Sequence, residues 1–331
     1  MNPEHPFAQY VRILGKGRKG SRSLTYDEAL AAMTMILNGE CEDVQLGAFM
    51  MLLRVKEESA EELAGFTQAT KNHIKPQVPA ALNVDLDWSS YAGKRRHLPW
   101  YLLASFVLAD NGFRVFMHGA DGHTAGRVYT RQALKELNVQ TANNWQEVED
   151  QLAKENFSFM GMEHLCPPLQ DIIDLRGTFG LRSPVHSFAR LLNPLNSKHV
   201  SQGVFHPGYG PSHQLGAKLL GYERLSIIKG EGGECECNPD SPFKMHHCFN
   251  EELIEEEWPA IFAKRHVKPK TLELSELKPV WTGEIENEYG EGAIIGTLAY
   301  VARLMGHTTS QQDCMTLAKQ WWHKRNIARF N

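Results

Sequence analysis

Residues 39–66, GECEDVQLGAFMMLLRVKEESAEELAGF, decide the fold because they encode two helices in immediate succession. In the first helix the apolar residues recur at helical spacing: Leu46, Phe49, Met50 and Leu53. This period predicts a helix over residues 44–55. The second helix opens with a capping box, in which Ser59 caps the first turn and Glu62 reaches back, and it runs to about Lys71. The segment therefore predicts a helical block.

The block extends towards the N-terminus across a glycine-rich stretch, LGKGRKGSRS, at residues 14–23. Its G-x-G-x-x-G spacing is typical of dinucleotide-binding turns, but such a turn follows a buried strand. Here a segment with helical spacing precedes the glycines, and a capping box at Thr25 and Glu28 follows them. We therefore expect a loop between two helices, which is either a solvated connection or a basic clamp. Its cations are Lys16, Arg18, Lys19 and Arg22.

A proline-interrupted connector, KPQVPAALN at residues 75–83, ends the helical block and predicts a boundary between residues 1–78 and 79–331. Beyond it, strand-like and helical segments alternate. The expected strands are residues 83–88, 113–119, 157–161 and 224–233, and the expected helices are residues 99–111, 130–137, 211–220 and 290–305. This alternation favours an α/β domain. The sequence thus predicts a small N-terminal helical domain and a larger α/β domain with a central sheet.

The composition narrows the classes of protein that need to be considered. The 331 residues are 42% hydrophobic and 22% charged, as in globular proteins, and the net charge of −4 restricts any nucleic-acid binding to local patches. No apolar run approaches the ~18–20 residues that a membrane span needs. Six cysteines do not suggest a disulfide framework, and no apolar signal core opens the chain, so we expect a cytoplasmic location.

Four segments, taken in order, resemble one family. They are residues 39–66, FRVFMHGAD at 113–121, LRSPVHSFARLLNPL at 181–195 and IIKGEGGECECN at 227–238. The family is the anthranilate phosphoribosyltransferase superfamily, glycosyl transferase family 3, with the fold of class IV phosphoribosyltransferases and nucleoside phosphorylases. The resemblance implies a helical domain, an α/β domain with a mixed sheet, a cleft between them and a homodimer joined through the helical domains. The apolar excess at Phe49, Met50 and Met51 fits such a dimer contact, unless both helix faces are buried.

The diphosphate cradle that the resemblance implies is degenerate in this chain. The family's Gly-Thr-Gly-Gly-Asp falls on the stretch that begins with Ser89 and Ser90, and only Gly93 of the cradle remains. A cradle needs glycines because backbone amides must approach a phosphate without obstruction from a Cβ atom. Bulky Tyr91 and the basic residues after Gly93 do not build such a turn.

The rest of the implied site is only partly kept. His118, Gly119, Arg182 and Glu236 match the family, whereas Met117 replaces a lysine, Ala120 and Asp121 replace Asn-Arg, and Cys235 replaces an aspartate. In the family, Arg182 occupies the position that faces the aromatic acid. The exchange at Cys235 removes one of two hard oxygen ligands for Mg²⁺. Anthranilate phosphoribosyl transfer is therefore not expected.

This pattern resembles a paralogous branch, the YbiB-like proteins, which carry transferase names but bind nucleic acids as dimers. Basic residues replace the cradle at Lys94, Arg95 and Arg96, and the helix-connecting loop at 16–22 is also basic. In the family fold both loops can border one cleft. We therefore expect a homodimer that binds DNA or RNA through its phosphates without strong sequence preference. The alternative is a pentosyl transferase with an altered donor or acceptor site, and only that alternative would require Mg²⁺.

Several side chains near these motifs have two interpretations. Tyr91, His97 and Trp100 either stack on nucleobases or pack the start of a helix, and packing is favoured for Trp100. His118 and His186 are either acid–base groups or structural histidines held by hydrogen bonds, and the structural role is favoured. No arrangement of a nucleophile with an orienting base is evident.

A cysteine- and histidine-rich stretch gives a minority prediction of zinc binding. Its members are Cys235, Cys237, His246, His247 and Cys248. Thiolates and imidazoles suit tetrahedral zinc, but the C-x-C spacing and the adjacent histidines do not match structural zinc sites, so an ordinary loop is favoured. The acidic run at residues 251–257 is expected to be a solvated helix face.

Overall fold

The computed structural model of the protein describes residues 3–17 and 19–331. Its N-terminal part is a block of four helices: α1 Ala8–Gly15, α2 Tyr26–Leu37, α3 Asp43–Lys56 and α4 Ala60–Ile74. The two predicted capping boxes are present, since Thr25 and Glu28 cap α2 and Ser59 and Glu62 cap α4. The glycine-rich stretch connects α1 to α2, as expected. Arg18, one of its predicted cations, lies outside the described residues.

The larger part of the chain is built on a sheet of seven strands. The strands are β1 Leu86–Ser90, β2 Val115–Gly119, β3 Phe157–Gly161, β4 His199–Val204, β5 Arg224–Lys229, β6 Phe243–Phe249 and β7 Glu252–Trp258. Their order across the sheet is β3-β2-β1-β4-β5-β6-β7. The first five run parallel, and β6 and β7 are antiparallel to their neighbours. The prediction of a helical domain beside an α/β domain with a mixed sheet is confirmed.

The remaining helices cover the sheet and extend the helical block. They are α5 Trp100–Asp110, α6 Thr130–Glu136, α7 Trp145–Glu155, α8 Met162–Leu165, α9 Pro167–Asp174, α10 Arg176–Phe179, α11 Val185–Phe188, α12 Tyr209–Leu219, α13 Leu277–Thr282, α14 Glu288–Met305 and α15 Gln311–His323. Short 3₁₀ helices lie at Lys75–Gln77, Ala189–Leu191 and Leu274–Glu276. Each is too short to present a face of its own.

Each face of the sheet packs into a separate hydrophobic core. Successive residues of a strand point to opposite faces, so Phe116 joins the core of the N-terminal helices while Met117 joins the core under α5 and α14. Phe49 and Met50 of α3 are fully buried in the first of these cores. The apolar excess assigned to a dimer contact is therefore internal at these two positions, and only Met51 is partly exposed.

The strand order reverses between β1 and β4, because the chain adds β2 and β3 on one side and β4 and β5 on the other. In open α/β sheets, ligands bind in the crevice outside the carboxyl ends of the strands at such a reversal. The loops that leave β1 and β4 at this edge begin at residues 91 and 205. The topology thus locates a candidate site before any side chain is considered.

The acidic run at residues 251–257 is not a helix face, and that prediction is wrong. Residues Glu252–Trp258 form β7, which pairs with β6 and ends the sheet. A row of carboxylates on the outermost strand discourages pairing with another chain. An edge strand therefore accounts for the acidic residues at these positions, as a solvated helix face also would. One member, Glu256, is held against α14 by Arg303 at 2.9 Å.

Within the described residues, no helix combines the length and the apolar character that crossing a bilayer requires.

Candidate functional site

The loop after β1 is bound by the protein's own carboxylates. Oε1 of Glu234 accepts hydrogen bonds from the backbone amides of Ala92 and Gly93, each at 2.6 Å, and Oε2 accepts one from Ser90 Oγ at 2.9 Å. Gly93 has a φ of +66°, so this tight turn favours glycine. Successive amides of this kind form an anion-binding nest. Here an internal carboxylate fills it.

A second carboxylate continues this pattern along the loop. Oε1 of Glu231 accepts hydrogen bonds from the backbone amides of Arg95, at 3.0 Å, and Arg96. The amides that would meet a diphosphate are therefore satisfied within the chain. The guanidinium groups of both arginines remain exposed, because only their backbone takes part in these bonds.

Lys94 differs from its two neighbours because its side chain is buried. Its exposure is 1%, and its ammonium group is paired with Glu236 and lies 3.3 Å from Glu231. Burial opposes its charge, but the two carboxylates more than compensate and hold the pKa of Lys94 above its ordinary value. Burial raises the pKa of Glu236 to about 7, with a small contribution from the negative charge of Glu231, although the paired Lys94 opposes the rise. The prediction that Lys94 contacts nucleic-acid phosphates is wrong: it is an internal counter-ion.

The residues at the family's metal position do not fit Mg²⁺. Burial raises the pKa of the Cys235 thiol far above its ordinary value, so the thiol is neutral. The remaining carboxylate, Glu236, is already paired with Lys94 and also accepts a hydrogen bond from the Tyr101 amide at 2.8 Å. Mg²⁺ prefers several ionised or carbonyl oxygens in octahedral geometry. Here the Cys235 thiol is neutral, and the Glu236 carboxylate is already engaged within the protein.

The cysteines of the minority zinc prediction are separated by the sheet. Cys235 and Cys237 lie in the core under α5 and α14, whereas Cys248 lies in the core on the opposite face. Residues 3–17 and 19–331 contain no group of three or more His, Cys, Asp or Glu arranged to hold a metal ion. These cysteines therefore do not form one site.

Most of the remaining residues of the degenerate site lie close together, but they are sealed from solvent by burial. His118 is fully buried, with Nδ1 2.6 Å from Tyr91 Oη and Nε2 3.2 Å from Asp87 Oδ1. Ser89 is also buried, and a Cβ at Gly119 would lie 1.8 Å from the Ser90 carbonyl oxygen. These positions serve packing, not contact with a ligand. Likewise the stacking role is wrong for Tyr91, 1% exposed, and for Trp100, 2% exposed.

A cleft of about 610 Å³ opens beside the sealed loop. We call it the basic cleft. Besides the buried Lys94, its lining cations are Arg95, Arg96, Arg127, Lys229 and Lys268. The carboxylates in its wall are Glu231 and Glu236, and both are engaged by Lys94. Among the described residues, none of the five cleft cations forms an ion pair with a carboxylate. His97 lines this cleft and stacks on Tyr289 at a ring separation of 3.8 Å.

A second cavity, of about 140 Å³, contains Arg182. We call it the arginine pocket; its polar lining residues include Arg54, Arg182, Ser183, His186 and Arg190. Phe205, His206 and Gly232 line both cavities, so the pocket adjoins the basic cleft. Arg182 is thus separated from the sealed residues with which the sequence grouped it.

The loop between α1 and α2 lies near α3. A Cβ at Gly15 would lie 3.2 Å from Leu52, and Lys56 Nζ is 3.0 Å from Ser23 Oγ. Lys16 and Lys19 are exposed. In contrast, Arg22 forms a bidentate ion pair with Glu28, in which its two terminal nitrogens lie 2.6 and 2.7 Å from the carboxylate oxygens. This ion pair lowers the pKa of Glu28 to about 2.

Several residues of the two cavities were not identified from the sequence: Arg54, Arg127, Arg190, Phe205, His206, Lys229 and Lys268. Lys229 had a usable signal, because it lies in the predicted strand at residues 224–233 and the carboxyl ends of parallel strands form binding crevices. The others lie on separate loops and helices. Their convergence depends on the strand order, which the sequence did not provide.

The amino-acid sequence is similar to one family model and to several known proteins. Residues 9–74 match the glycosyl transferase family, helical bundle domain. An uncharacterized protein of Aquifex aeolicus (strain VF5) is 31% identical over 72% of this chain and 72% of its own. The uncharacterized protein YbiB of Escherichia coli (strain K12) is 28% identical over 70% of this chain and 73% of its own. The anthranilate phosphoribosyltransferase of Oceanobacillus iheyensis is 26% identical over 71% of this chain and 68% of its own.

Solved structures extend the similarity across the fold. Anthranilate phosphoribosyltransferase (TrpD) from Thermus thermophilus superimposes with a TM-score of 0.80 at 18% identity, covering 99% of this chain and 97% of the enzyme. The enzyme from Saccharomyces cerevisiae, in complex with PRPP and Mg, gives 0.78 at 17% identity over 99% and 96%. The helical block, the mixed sheet and the sequence relatives agree, and the chain belongs to the anthranilate phosphoribosyltransferase-like proteins of glycosyl transferase family 3.

Proposed function

We propose that this protein binds DNA or RNA through backbone phosphates, without strong sequence preference, on a phosphoribosyltransferase fold whose donor site is degenerate. The observation that carries the proposal is the basic cleft. Besides Lys94, five cations line it, and the carboxylates in its wall are bound to Lys94. When a positively charged surface contacts phosphates, the nucleic acid releases its condensed counterions, and this supplies most of the free energy of non-specific binding.

The distribution of the cations around the cleft supports a long polyanion better than a compact one. The guanidinium groups of Arg95 and Arg96 are exposed at one wall, and Lys229 and Lys268 contribute exposed ammonium groups elsewhere. Separated cations suit the spaced charges of a nucleic-acid backbone. Contacts of this type position a strand but do not read its bases, so little sequence preference is expected.

The same geometry argues against the transferase alternative. A phosphoribosyl diphosphate donor needs amides and a metal ion to neutralise its charge. The amides of Ala92 and Gly93 are bound to Glu234, and Glu236 is bound to Lys94. A donor diphosphate would have to displace a carboxylate from a buried position. This cost disfavours the donor complex that the enzymes in this family form.

The proposal includes a contribution from the loop between α1 and α2 and a homodimer through the helical block. Lys16 and Lys19 are exposed and available to phosphates, whereas the charge of Arg22 is engaged by Glu28. For the dimer, the support is apolar exposure on α3, where Val44 is 81% and Val55 87% exposed. Exposed apolar groups on one helix favour burial against a second copy.

Fluorescence anisotropy with labelled oligonucleotides of unrelated sequence tests the proposal. We expect measurable binding of every sequence, with affinities within a few-fold of each other, and weaker binding by a Lys16→Gln/Lys19→Gln variant. Arg22→Gln is the matched control from the same loop, and it should bind as the unaltered protein does. A phosphoribosyl diphosphate titration with Mg²⁺ runs in parallel. Saturable donor binding without oligonucleotide binding would reverse the assignment.

A further inference from the structure

Arg182 and Arg190 line the arginine pocket, and Arg127 and Arg176 lie near enough to Arg182 to act on its charge. None of the four has a paired carboxylate in the described part of the chain. Arg190 donates to the carbonyl oxygens of His186 and Gly203, each at 2.9 Å, and to that of Gly233. Arg182 and Arg176 donate to Thr124 Oγ1, and Arg127 donates to the Ala92 carbonyl oxygen at 2.7 Å. All these acceptors are uncharged.

The positive charges of these arginines therefore repel one another in and beside the pocket. Burial lowers the pKa of Arg182 to about 10, and the charges of Arg190, Arg127 and Arg176 contribute to this lowering. The carboxylate that most offsets the charge of Arg190 is Glu234, which is already bonded to two backbone amides. Each guanidinium stays charged at neutral pH, so an anion that enters the pocket relieves this repulsion.

Two buried side chains in the pocket wall have atoms without a partner. Ser183 is 4% exposed and His186 7% exposed, and neither Ser183 Oγ nor His186 Nε2 has a hydrogen-bond partner among the described residues. His186 Nδ1 lies 3.2 Å from the Ser183 carbonyl oxygen, so Nδ1 carries the proton and Nε2 is an acceptor. Unsatisfied buried polar atoms are costly and point to a ligand that pairs with them.

This combination of donors with one acceptor selects a particular anion. A phosphomonoester offers several acceptor oxygens to the arginines and to Ser183. It also has a second ionisation near pH 6, so at neutral pH it is mainly a dianion, and two negative charges offset more of the arginine repulsion than one charge does. The fraction of the ester that keeps its second proton donates it to His186 Nε2. A phosphodiester and a carboxylate carry one negative charge each and no such proton at neutral pH. The pocket thus suits a terminal phosphate better than an internal phosphate or an aromatic acid.

The dimensions of the pocket and its neighbours indicate what carries the phosphate. At about 140 Å³, the pocket is smaller than the roughly 300 Å³ or more of ordinary ligand sites, so it holds a group and not a whole ligand. Its rim includes Phe205, which is 51% exposed and meets His206 edge-to-face at 4.6 Å. Both residues also line the basic cleft, and an exposed ring is a platform for an unpaired base.

We propose that the arginine pocket binds the terminal phosphomonoester of a single-stranded nucleic acid whose backbone follows the basic cleft and whose end base stacks on Phe205. This inference rests on the proposed function and adds to it the recognition of a strand end. The arginine pocket would then hold the end of the strand in one position, and the basic cleft would bind the backbone that follows it.

The test compares three oligonucleotides of one sequence: with a 5′ phosphate, with a 3′ phosphate and with hydroxyls at both ends. We expect a phosphate at one end to tighten binding about 10-fold or more, as charge-assisted hydrogen bonds do. Arg182→Gln should abolish this advantage but leave the affinity for the dihydroxyl strand within about 2-fold. Arg114→Gln, at the opposite end of the sheet, is the matched control and should retain the advantage.

Competition distinguishes the sources of the phosphate. Inorganic phosphate at millimolar concentration and constant ionic strength should remove the advantage of the phosphorylated strand and leave dihydroxyl binding unchanged. Equal affinities of the unaltered protein for all three strands would overturn this inference and leave the proposed function intact, whereas no binding of any strand would overturn both. Arg182-dependent binding of inorganic phosphate without a strand-end advantage, or displacement by anthranilate only, would also overturn it.

Discussion

Oε1 of Glu234 lies 2.6 Å from the backbone nitrogen of Gly93. A carboxylate of the protein therefore accepts the hydrogen bond that this amide would donate to a phosphate in a cradle. The same oxygen accepts from Ala92 at 2.6 Å, and the turn they form has no remaining capacity for an anion. The positive charge of this region is therefore carried by the exposed side chains of Arg95 and Arg96, which follow the turn.

The first prediction concerns the donor. Phosphoribosyl diphosphate with Mg²⁺ should not raise the midpoint of thermal unfolding, because the cradle amides and Glu236 are engaged within the chain. Correspondingly, the protein should not support growth of a tryptophan auxotroph that lacks anthranilate phosphoribosyltransferase. Robust growth of that strain, or a donor-dependent rise of several degrees in the unfolding midpoint, would refute the view that the donor site is degenerate.

The second prediction concerns Lys94, whose ammonium group is paired with Glu236 and lies 3.3 Å from Glu231. Lys94→Met should lower the free energy of unfolding by about 3–5 kcal/mol, because removing one partner of a buried pair leaves unpaired charge. Urea denaturation at pH 7 measures this change. Lys229→Met, an exposed lysine of the same cleft, is the control and should change stability by no more than about 0.5 kcal/mol. Equal effects of the two substitutions would show that Lys94 is not a structural counter-ion.

The third prediction concerns the edge strand. Burial alone would raise the pKa of Glu256, but His247 and Arg303 lower it to about 2 from a usual 4.5. A carboxylate with a lowered pKa contributes stability that is present above pH 4.5 and is lost as the pH falls towards 2. Glu256→Gln should therefore cost about 1.5–3 kcal/mol at pH 7, and this difference should shrink progressively below pH 4.5.

Glu257→Gln, on the same strand but exposed and without an ion pair among the described residues, is the control for this measurement. Its unfolding free energy should stay within about 0.5 kcal/mol of that of the unaltered protein at about pH 7 and about pH 3.5. Chemical denaturation at pH 7 and at pH 3.5 gives the two differences. A cost for Glu256→Gln that is the same at both pH values would show that the ion pair with Arg303 is not its source.

The fourth prediction concerns assembly. If α3 forms the contact between two copies, Val55→Glu should convert a dimer into a monomer of 37.4 kDa, because a charge replaces an apolar group in the interface. Light scattering at micromolar concentration reports the mass. Val267→Glu, equally exposed but in the α/β part, should leave the dimer intact. A monomeric unaltered protein would refute the contact itself.

The sequence predicted the fold because its signals are local. The capping boxes at Thr25 and Ser59 depend on residues three apart, and the strand at 157–161 is a short apolar run with the bounds that the structure has. By contrast, β7 was missed because carboxylates at an edge strand resemble those on a solvated helix. Only the pairing of β7 with β6 distinguishes the two.

The site was predicted less completely, because burial and convergence are tertiary properties. The basic run after Gly93 is contiguous in sequence, yet Lys94 points into the core while Arg95 and Arg96 face the cleft. Nothing local separates these three residues. Arg190 and Lys268 approach the same region from distant parts of the chain, and no motif connects them.

The central claim is that the basic cleft contacts phosphates, and the salt dependence of binding tests it most directly. Each phosphate contact adds about 0.7–0.9 to the slope of log K against log salt. An Arg95→Gln/Arg96→Gln variant keeps the amide bonds to Glu231 and should flatten the slope by about 1.5 for one protomer's cleft, whatever the nucleic-acid sequence. The charge-matched Arg114→Gln/Lys198→Gln variant, at the opposite end of the sheet, should retain the full slope. An unchanged slope and affinity in a folded Arg95→Gln/Arg96→Gln variant would contradict the account.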